Sequence, residues 1–240
     1  MTRADLPASA DEHPATRLLH LLRPLGARLV RTRWPVAVHH ADRVPEAGGV
    51  ILASNHIGII DGPLLAVFSP RPVHALTKQE MFEGRLGRFL RASGQIPLDR
   101  FHADPGAIRS CLRVVRDGGV AGIFPEGTRG DGELHRFHHG AAYLALVTGA
   151  PVVPVAFLGT RLPGGADGSV PPRGSRLAMT FGEPVDLGAK PWPRTQQDMA
   201  DAASSVTDAI LQTIRTAEQV TGMTLPGPLG AKREKKPEKK

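Results

Sequence analysis

The chain has 240 residues, of which 41% are hydrophobic and 22% are charged, and its formal net charge is +7. This composition suits one or two packed domains and disfavours a disordered chain. The single cysteine, Cys111, excludes an internal disulfide framework and a cysteine-based zinc site, and an aromatic content of 5% disfavours a single-strand binder that stacks bases.

The positive charge is concentrated near the two ends of the chain. Residues 15–40 contain five arginines and no acid, and residues 231–240 contain six basic residues and two glutamates. Basic ends of this kind suit an anionic membrane surface or nucleic acid. For the C-terminal run, a tail that only improves solubility is an equally good explanation.

The N-terminal region divides into two parts. Residues 1–14 contain three acids and no apolar run, so we expect a flexible leader rather than a secretion signal. Residues 15–34 are predicted to form a basic amphipathic helix, kinked or split at Pro24. The helix either lies in a membrane interface, with Trp34 at headgroup depth, or packs on the protein as an ordinary helix. Its predicted apolar face consists of Leu18, Leu22, Leu25 and Leu29.

The rest of the chain alternates between apolar strands and helical stretches. Strands are predicted at residues 49–53, 73–76, 94–98, 120–124, 152–157 and 177–181, and helices at 62–68, 105–117 and 139–148. A last helix begins at a capping box formed by Thr195 and Asp198 and ends before Gly222. This order predicts an α/β fold with a single mixed, largely parallel sheet flanked by helices. The main domain covers residues 35–222, and residues 223–240 form a linker and a disordered basic tail.

The first candidate site is the loop after the strand at 49–53. His56 is suited to proton transfer near neutral pH, and Asp61 can fold back to accept a hydrogen bond from one imidazole nitrogen. No serine or cysteine lies between the two residues, which suggests that the substrate supplies its own nucleophile, such as a hydroxyl. The alternative is a histidine and an aspartate that cap the local backbone.

Two further loops carry side chains suited to an anionic ligand. Glu126, Thr128 and Arg129 lie in a glycine-flanked turn after the strand at 120–124, and Arg100 follows the strand at 94–98. Arginine is the side chain best suited to bidentate phosphate contacts. Each loop alone is more often a structural turn than a binding site. The sequence lacks a Gly-x-Ser-x-Gly elbow, a Walker phosphate loop and a dinucleotide fingerprint, so hydrolases, ATPases and dehydrogenases of those types are disfavoured.

Taken together, these segments resemble the four sequence blocks of the glycerolipid acyltransferase family. The resemblance covers residues 35–215 and is greatest to the 1-acylglycerol-3-phosphate (lysophosphatidate) acyltransferases. Family members often carry a lysine in the Phe-x-x-Gly segment that follows the third block, whereas this chain has histidines there. The four blocks are Asn55-His56 with Asp61, Gly94 with Arg100, Phe124 to Arg129, and Val153-Pro154.

The resemblance implies roles for particular residues. His56 would be the general base and Asp61 would orient it, without a covalent acyl-enzyme. The co-substrate would be acyl-CoA or acyl-carrier protein, with no further cofactor and no metal. The resemblance does not identify the groups that stabilise the oxyanion, and we take the backbone amides near Gly58 as candidates. The acceptor would be bound by Arg100, Glu126, Gly127, Thr128 and Arg129.

The resemblance also implies a reaction and a cellular location for the protein, and other acceptors and functions stay open beside them. The acyltransferase domain, residues 35–222, would acylate 1-acylglycerol 3-phosphate to phosphatidic acid in the cytoplasm, against the inner face of an anionic membrane, with no nucleic-acid partner. Alternative acceptors are glycerol 3-phosphate, another lysophospholipid or a lyso-aminolipid. A non-catalytic lipid-binding module stays open, as does a metallohydrolase that uses His135, His138 and His139 with His56 or Asp61.

Overall fold

Seven strands and six helices form the regular structure of residues 7–230, which are the residues that the computed structural model describes. The strands are β1 (Val36–His39), β2 (Val50–Ser54), β3 (Val73–Lys78), β4 (Ile96–Leu98), β5 (Val120–Ile123), β6 (Val152–Leu158) and β7 (Leu177–Phe181). The helices are α1 (Arg17–Arg33), α2 (Asp61–Phe68), α3 (Gly84–Ala92), α4 (Pro105–Arg116), α5 (Gly140–Thr148) and α6 (Gln196–Thr221).

The seven strands form one sheet in the order β1-β7-β6-β2-β5-β3-β4. Neighbouring strands are parallel, except that β6 and β7 are antiparallel. The predicted single mixed, largely parallel sheet is therefore confirmed. Because β2 to β6 all run in one direction, their carboxyl ends meet at one edge of the sheet, which is where open α/β sheets bind their ligands.

The sheet has an apolar core on each face. In β2, Ile51 and Ala53 face the core formed with α4, α5 and α6, whereas Val50 and Leu52 face the core closed by α2. All residues of β2 and β6 are buried. Such continuous burial is typical of parallel strands covered on both faces. Each fully buried Val, Leu or Ile side chain stabilises the fold by about 1.5–3 kcal/mol.

Two elements, β1 and α3, had not been predicted. β1 is a short, half-exposed edge strand, and α3 contains two glycines, which lower helix propensity.

The predicted cap of the last helix is confirmed. At the start of α6, Thr195 and Asp198 exchange side-chain and backbone hydrogen bonds as a capping box. The helix ends at Gly222, whose φ of 66° is the left-handed conformation that glycine adopts without strain.

α1 confirms the predicted N-terminal helix but differs in detail. The helix is continuous through Pro24 and is not split there. Leu18 and Leu22 are half-buried on the inner side of the helix. The exposed apolar stripe consists of Leu21, Leu25 and Leu29, which are 64%, 64% and 68% exposed.

Trp34, after α1, is an anchor of the fold. Its side chain is buried, and its indole N–H donates to the backbone carbonyls of Pro171 and Pro172. The prediction that Trp34 lies at headgroup depth is therefore wrong, because its one polar atom is satisfied inside the protein.

The chain ends were predicted to be a leader and a tail. Residues 7–14 lie against α4, where the Ala10 N–H donates to the Arg109 carbonyl and Arg116 donates to the Pro7 carbonyl. Residues 1–6 of the predicted leader and the predicted disordered tail at 231–240 lie outside the described residues, so the flexibility of both ends stays a prediction. Within residues 7–230, no helix combines the length and apolarity needed to cross a membrane.

Candidate active site

The predicted site residues lie at the carboxyl edge of the sheet. His56 follows β2, Arg100 follows β4, and residues 126–129 follow β5. These three strands are parallel, and β2 and β5 are direct neighbours. The topology therefore brings the first, second and third sequence blocks to one place.

His56 and Asp61 form the predicted hydrogen-bonded pair. His56 Nδ1 lies 2.9 Å from Asp61 Oδ2, and the imidazole ring packs at 4.4 Å, centroid to centroid, against Phe124. The carboxylate is fully buried, whereas the imidazole side chain is 21% exposed. Because the carboxylate only accepts, Nδ1 carries a proton in this geometry, and in the neutral imidazole the lone pair is then on Nε2. Among the described residues, no hydrogen-bond partner faces Nε2.

Asp61 also fixes the backbone of the loop. Its Oδ2 accepts the N–H groups of Ile57 and Gly58, each at 2.8 Å. Asp61 is the first residue of α2, and a carboxylate is stabilised at a helix N-terminus. The prediction that the amides near Gly58 stabilise an oxyanion is wrong for the amides of Ile57 and Gly58, because both already donate to this carboxylate.

Glu126 is turned inward rather than toward an open site. Its side chain is 95% buried, and Oε1 accepts the backbone N–H of His56 at 2.8 Å. Burial raises the pKa of Glu126 to about 7, helped by the negative charges of Asp131 and Asp61 and opposed by the His56 hydrogen bond. The geometry therefore makes Glu126 a support for His56, and its contact with the acceptor stays a prediction.

The remaining third-block residues form the turn beside Glu126. Gly127 has a φ of +68°, a left-handed conformation that favours glycine, and the His138 ring would have to move to admit a Cβ there. Thr128 is exposed and Arg129 is half-buried. Among residues 7–230, the Arg129 guanidinium has neither a hydrogen-bond nor an ion-pair partner.

Arg100 joins the second block to the third. Its guanidinium donates to the Gly127 carbonyl at 3.2 Å and lies 3.4 Å from Glu80 Oε1. The Nε of Arg100 is buried without a partner in the described part of the protein. Arg129 therefore lies on this turn, and Arg100 reaches the turn from the loop after β4.

The part of the chain that carries these residues matches a known protein family. A family model described as Acyltransferase matches residues 35–158, which include β1 to β6 and all of the residues above. The chain belongs to the acyltransferase family. The match begins at the N-terminal end of β1 and ends at the last residue of β6, so it includes the loops after β2, β4 and β5.

Several relatives of this acyltransferase are named 1-acyl-sn-glycerol-3-phosphate acyltransferase. One, from Bacillus subtilis (strain 168), is 27% identical over 197 residues, which are 79% of this chain and 92% of the relative. The beta form from Homo sapiens is 33% identical over 120 residues, 48% of this chain and 43% of that protein. The similarity therefore spans most of the bacterial relative but less than half of the human one.

The fold has a relative among solved structures. The crystal structure of the 1-acyl-sn-glycerophosphate acyltransferase PlsC from Thermotoga maritima superposes with a TM-score of 0.60 at 21% identity. The superposition covers 85% of this chain and 80% of the Thermotoga protein. This likeness confirms the fold of the acyltransferase.

Arg161 is a residue of the site region that the sequence analysis missed. It follows β6, it is 1% exposed, and no carboxylate contacts it in the part of the chain described. Burial lowers the pKa of the guanidinium, while Asp131 and Asp61 oppose that change. An arginine three positions after the end of a wholly apolar strand was the signal available in the sequence. The guanidinium donates five hydrogen bonds of 2.6–3.2 Å, all to backbone carbonyls, of Ile57, Gly130, Gly165, Gly227 and Pro228.

The predicted linker at 223–230 is part of the same acyltransferase site region. Leu225 packs into both apolar cores and lies close to Gly132 and Ile57. Gly227 and Pro228 accept from Arg161, which also holds the carbonyl of Ile57. The C-terminal segment is therefore tied to the loop that carries His56.

The histidines near the third block do not join His56. His135 Nε2 lies 3.2 Å from both Asp131 and Glu133 at the surface. His138 N–H donates to the Pro125 carbonyl at 2.7 Å. Among residues 7–230, the one group of three metal-ligating side chains is Asp131, Glu133 and His135, and it includes neither His56 nor Asp61.

Proposed function

We propose that this acyltransferase moves a fatty acyl group from a thioester to the free hydroxyl of 1-acylglycerol 3-phosphate, which gives phosphatidic acid. The observation that carries the proposal is the His56–Asp61 pair. His56 Nδ1 is hydrogen-bonded to Asp61, and Nε2 has no hydrogen-bond partner among the described residues. The names of the relatives support this choice of acceptor.

In the proposed reaction, His56 Nε2 accepts the proton of the acceptor hydroxyl as its oxygen attacks the thioester carbonyl. The tetrahedral intermediate then collapses, the C–S bond breaks, and the thiolate leaves and takes the proton from the imidazolium as free thiol. Asp61 keeps the imidazole in the reactive tautomer and stabilises its charged form. General-base help of this type contributes typically 10²–10⁴-fold to the rate.

Two residues that could form an acyl-enzyme are poorly placed for it. Ser54 is fully buried and donates its hydroxyl to the Asn55 carbonyl. Cys111 is fully buried in the core on the far face of the sheet, and burial raises the pKa of its thiol to about 12. A thiol with this pKa is not a nucleophile near neutral pH, which supports direct transfer from donor to acceptor.

Arg129 and Arg100 are proposed to bind the acceptor phosphate. Arg129 has no described protein partner, and Arg100 has a buried Nε without one. A phosphate between the two side chains would supply acceptors for these donors. The donor, acyl-CoA or acyl-carrier protein, is proposed as co-substrate, with no further cofactor.

The acyltransferase is also proposed to associate with the membrane surface through α1. The exposed stripe of Leu21, Leu25 and Leu29 lies on a helix whose Arg28 and Arg31 are exposed. Basic residues near an anionic surface contribute about 1 kcal/mol each. Attachment at the inner face of a cytoplasmic membrane stays a prediction.

The test is a thiol-release assay with labelled acyl-CoA or acyl-carrier protein and a panel of acceptors. The panel contains 1-acylglycerol 3-phosphate, glycerol 3-phosphate, other lysophospholipids and a lyso-aminolipid. We expect release that depends on 1-acylglycerol 3-phosphate and yields phosphatidic acid. Release with a different acceptor would replace the proposed substrate, and no thioester consumption with any acceptor would favour a lipid-binding module.

A further inference from the structure

One oxygen of the Asp61 carboxylate has no donor in the described part of the chain. Asp61 Oδ2 accepts three hydrogen bonds, from His56 Nδ1 at 2.9 Å and from the N–H groups of Ile57 and Gly58 at 2.8 Å each. Asp61 Oδ1 is buried, and within residues 7–230 it has no hydrogen-bond partner. An ionised carboxylate has acceptor sites on both oxygens, and a buried charged acceptor without a donor is costly. Oδ1 therefore needs a donor that the three contacts of Oδ2 do not supply.

A second buried polar atom without a partner lies next to the same loop. The Thr160 side chain is fully buried, and its hydroxyl oxygen has no hydrogen-bond partner among the described residues. Thr160 packs against Gly58, since a Cβ on Gly58 would lie 2.8 Å from Thr160 Oγ1 and 2.4 Å from the Thr160 carbonyl oxygen. The Gly58 N–H donates to Asp61. Gly58 therefore contacts both of the side chains that carry an unpartnered atom.

The neighbouring Arg161 cannot supply the missing donor. A guanidinium has five N–H bonds, and that of Arg161 donates five hydrogen bonds, all to backbone carbonyls. Its positive charge acts on Asp61, but none of its N–H groups is free for Oδ1. The Thr160 hydroxyl, in contrast, has one O–H and no described acceptor. Thr160 is therefore the better candidate for the donor.

We propose that Thr160 is a positioning residue for the general base, and that its hydroxyl donates to one buried water, which in turn donates to Asp61 Oδ1. Both side chains are fully buried, so bulk solvent and substrates do not reach them. Buried waters typically make about three hydrogen bonds to polar groups that lack another partner. A carboxylate bound at both oxygens keeps Oδ2 directed at His56. The inference rests on the proposed function, in which Asp61 orients the imidazole.

The segment after β6 would then hold the first sequence block at two points. β6 carries the fourth block and is followed by Gly159, whose φ of 78° is a left-handed conformation that favours glycine. Thr160 and Arg161 come next, and the Arg161 guanidinium donates to the Ile57 carbonyl at 3.0 Å. Arg161 holds the backbone of the loop, while Thr160 holds the carboxylate that orients the general base.

The first test compares kcat of Thr160→Val, which replaces the hydroxyl by a methyl group, with kcat of Thr160→Ser, which keeps the hydroxyl. We expect Thr160→Val to lower kcat about tenfold and to leave KM for both substrates unchanged, because Asp61 orients the imidazole less firmly. Thr160→Ser should keep most of the wild-type kcat. Wild-type kcat in Thr160→Val, or an equal loss in Thr160→Ser, would overturn the proposal.

Thr180→Val is the matched control for Thr160→Val. Thr180 is also fully buried, and its hydroxyl has no partner among the described residues, but it lies in β7, which contributes no residue to the site. This variant should keep the wild-type kcat. A tenfold loss in Thr180→Val would show that any buried methyl of this kind slows the enzyme, and would overturn the role of Thr160.

A second measurement asks whether Thr160 acts through Asp61. In the Asp61→Asn background, Thr160→Val should lower kcat by at most about twofold, because the carboxylate that the hydroxyl supports is no longer there. A tenfold loss in both backgrounds would show a general packing effect and would overturn the proposal.

A third measurement needs no substrate. If the Thr160 hydroxyl has no partner at all, Thr160→Val removes an unsatisfied buried group and should raise the urea midpoint of unfolding. The proposal predicts a lower midpoint, because Asp61 Oδ1 loses its donor. A crystal structure that resolves buried waters should show one within hydrogen-bond distance of both Thr160 Oγ1 and Asp61 Oδ1. A raised midpoint, or Oδ1 paired with another group, would overturn the proposal.

These outcomes separate the inference from the proposed function. If no acceptor consumes thioester while the midpoint falls and the water is present, the proposed function fails and the contact between Thr160 and Asp61 stands. If acyl transfer occurs and the midpoint rises, the proposed function stands and the contact fails.

Discussion

The Glu126 carboxylate accepts the backbone N–H of His56 at 2.8 Å, although the two residues are 70 positions apart in the sequence. From the same turn, the Gly130 N–H donates to the His56 carbonyl at 2.8 Å. The third sequence block therefore holds both backbone polar groups of the proposed general base. Block one carries the imidazole, and block three fixes its position.

Replacing Glu126 by glutamine should change how stability depends on pH. The folded chain holds the Glu126 proton up to a pKa of about 7, whereas the usual value is 4.5. Between these values the folded state binds more protons than the unfolded state, so this carboxyl lowers the free energy of unfolding as pH rises. The full effect is on the order of 3 kcal/mol. Relative to wild type, Glu126→Gln should gain stability from pH 4.5 to 7 and no more above pH 7.

Urea unfolding of both proteins at pH 5 and pH 8 checks this prediction. The amide of glutamine can still accept the His56 N–H, so the comparison isolates the charge. A stability difference that stays constant between the two pH values would show that Glu126 has an ordinary pKa.

Arg161→Met should damage both stability and turnover. The substitution leaves buried carbonyls of Ile57, Gly130 and the C-terminal segment without donors, and each unsatisfied buried group costs about 1–3 kcal/mol. We expect a loss of about 3 kcal/mol in the free energy of unfolding and a lower kcat with little change in KM. Arg161→Lys, which keeps the charge and three donors, should lose less.

Arg176→Met is the matched control for Arg161, because Arg176 is an exposed arginine that donates to one carbonyl, that of Thr221. It should keep wild-type stability and kcat. Equal effects of Arg161→Met and Arg176→Met on kcat would show that Arg161 does not support the His56 loop.

Local spacing predicted the hydrogen-bonded pair of His56 and Asp61, but not the contacts around it. The separation of five positions from His56 to Asp61 allows the carboxylate to fold back across one turn, and it does so. The same turn points the Ile57 and Gly58 amides at Asp61, which spacing alone did not reveal. Glu126 lay in the predicted block, yet its inward orientation depends on contact with another strand's loop.

The buried strands of the sheet could be predicted from the sequence, whereas β1 and the helix α3 could not. The apolar runs of β2 and β6 are buried on both faces and were clear in the sequence. β1 has a half-exposed pattern at a sheet edge, and the sequence of α3 includes Gly87, where the backbone of Phe82 leaves no room for a Cβ. Arg161 was missed because its five partners come from four separate segments.

Arg129→Ala should weaken use of phosphorylated acceptors. The half-buried guanidinium has no partner in residues 7–230, so its removal breaks no described contact. A hydrogen bond to a charged group contributes about 1.5–3 kcal/mol, which corresponds to roughly 10- to 100-fold in KM for 1-acylglycerol 3-phosphate. The KM for the acyl donor should stay the same.

The measurement for Arg129 compares 1-acylglycerol 3-phosphate with monoacylglycerol, which lacks the phosphate. Wild type should prefer the phosphorylated acceptor, and Arg129→Ala should narrow that preference. An unchanged preference would exclude a phosphate contact by this side chain.

A double-mutant cycle on thioester turnover tests whether His56 and Asp61 act as one proton-accepting unit. His56→Ala, Asp61→Asn and the double variant are compared with wild type, with the fold of each confirmed by circular dichroism. Each single variant should lower kcat by about 10²–10⁴-fold, and the double variant should be no slower than His56→Ala, because Asp61 acts through the imidazole. Wild-type turnover by His56→Ala would show that His56 is not the general base. Losses in kcat that multiply in the double variant would show that Asp61 does not act through the imidazole.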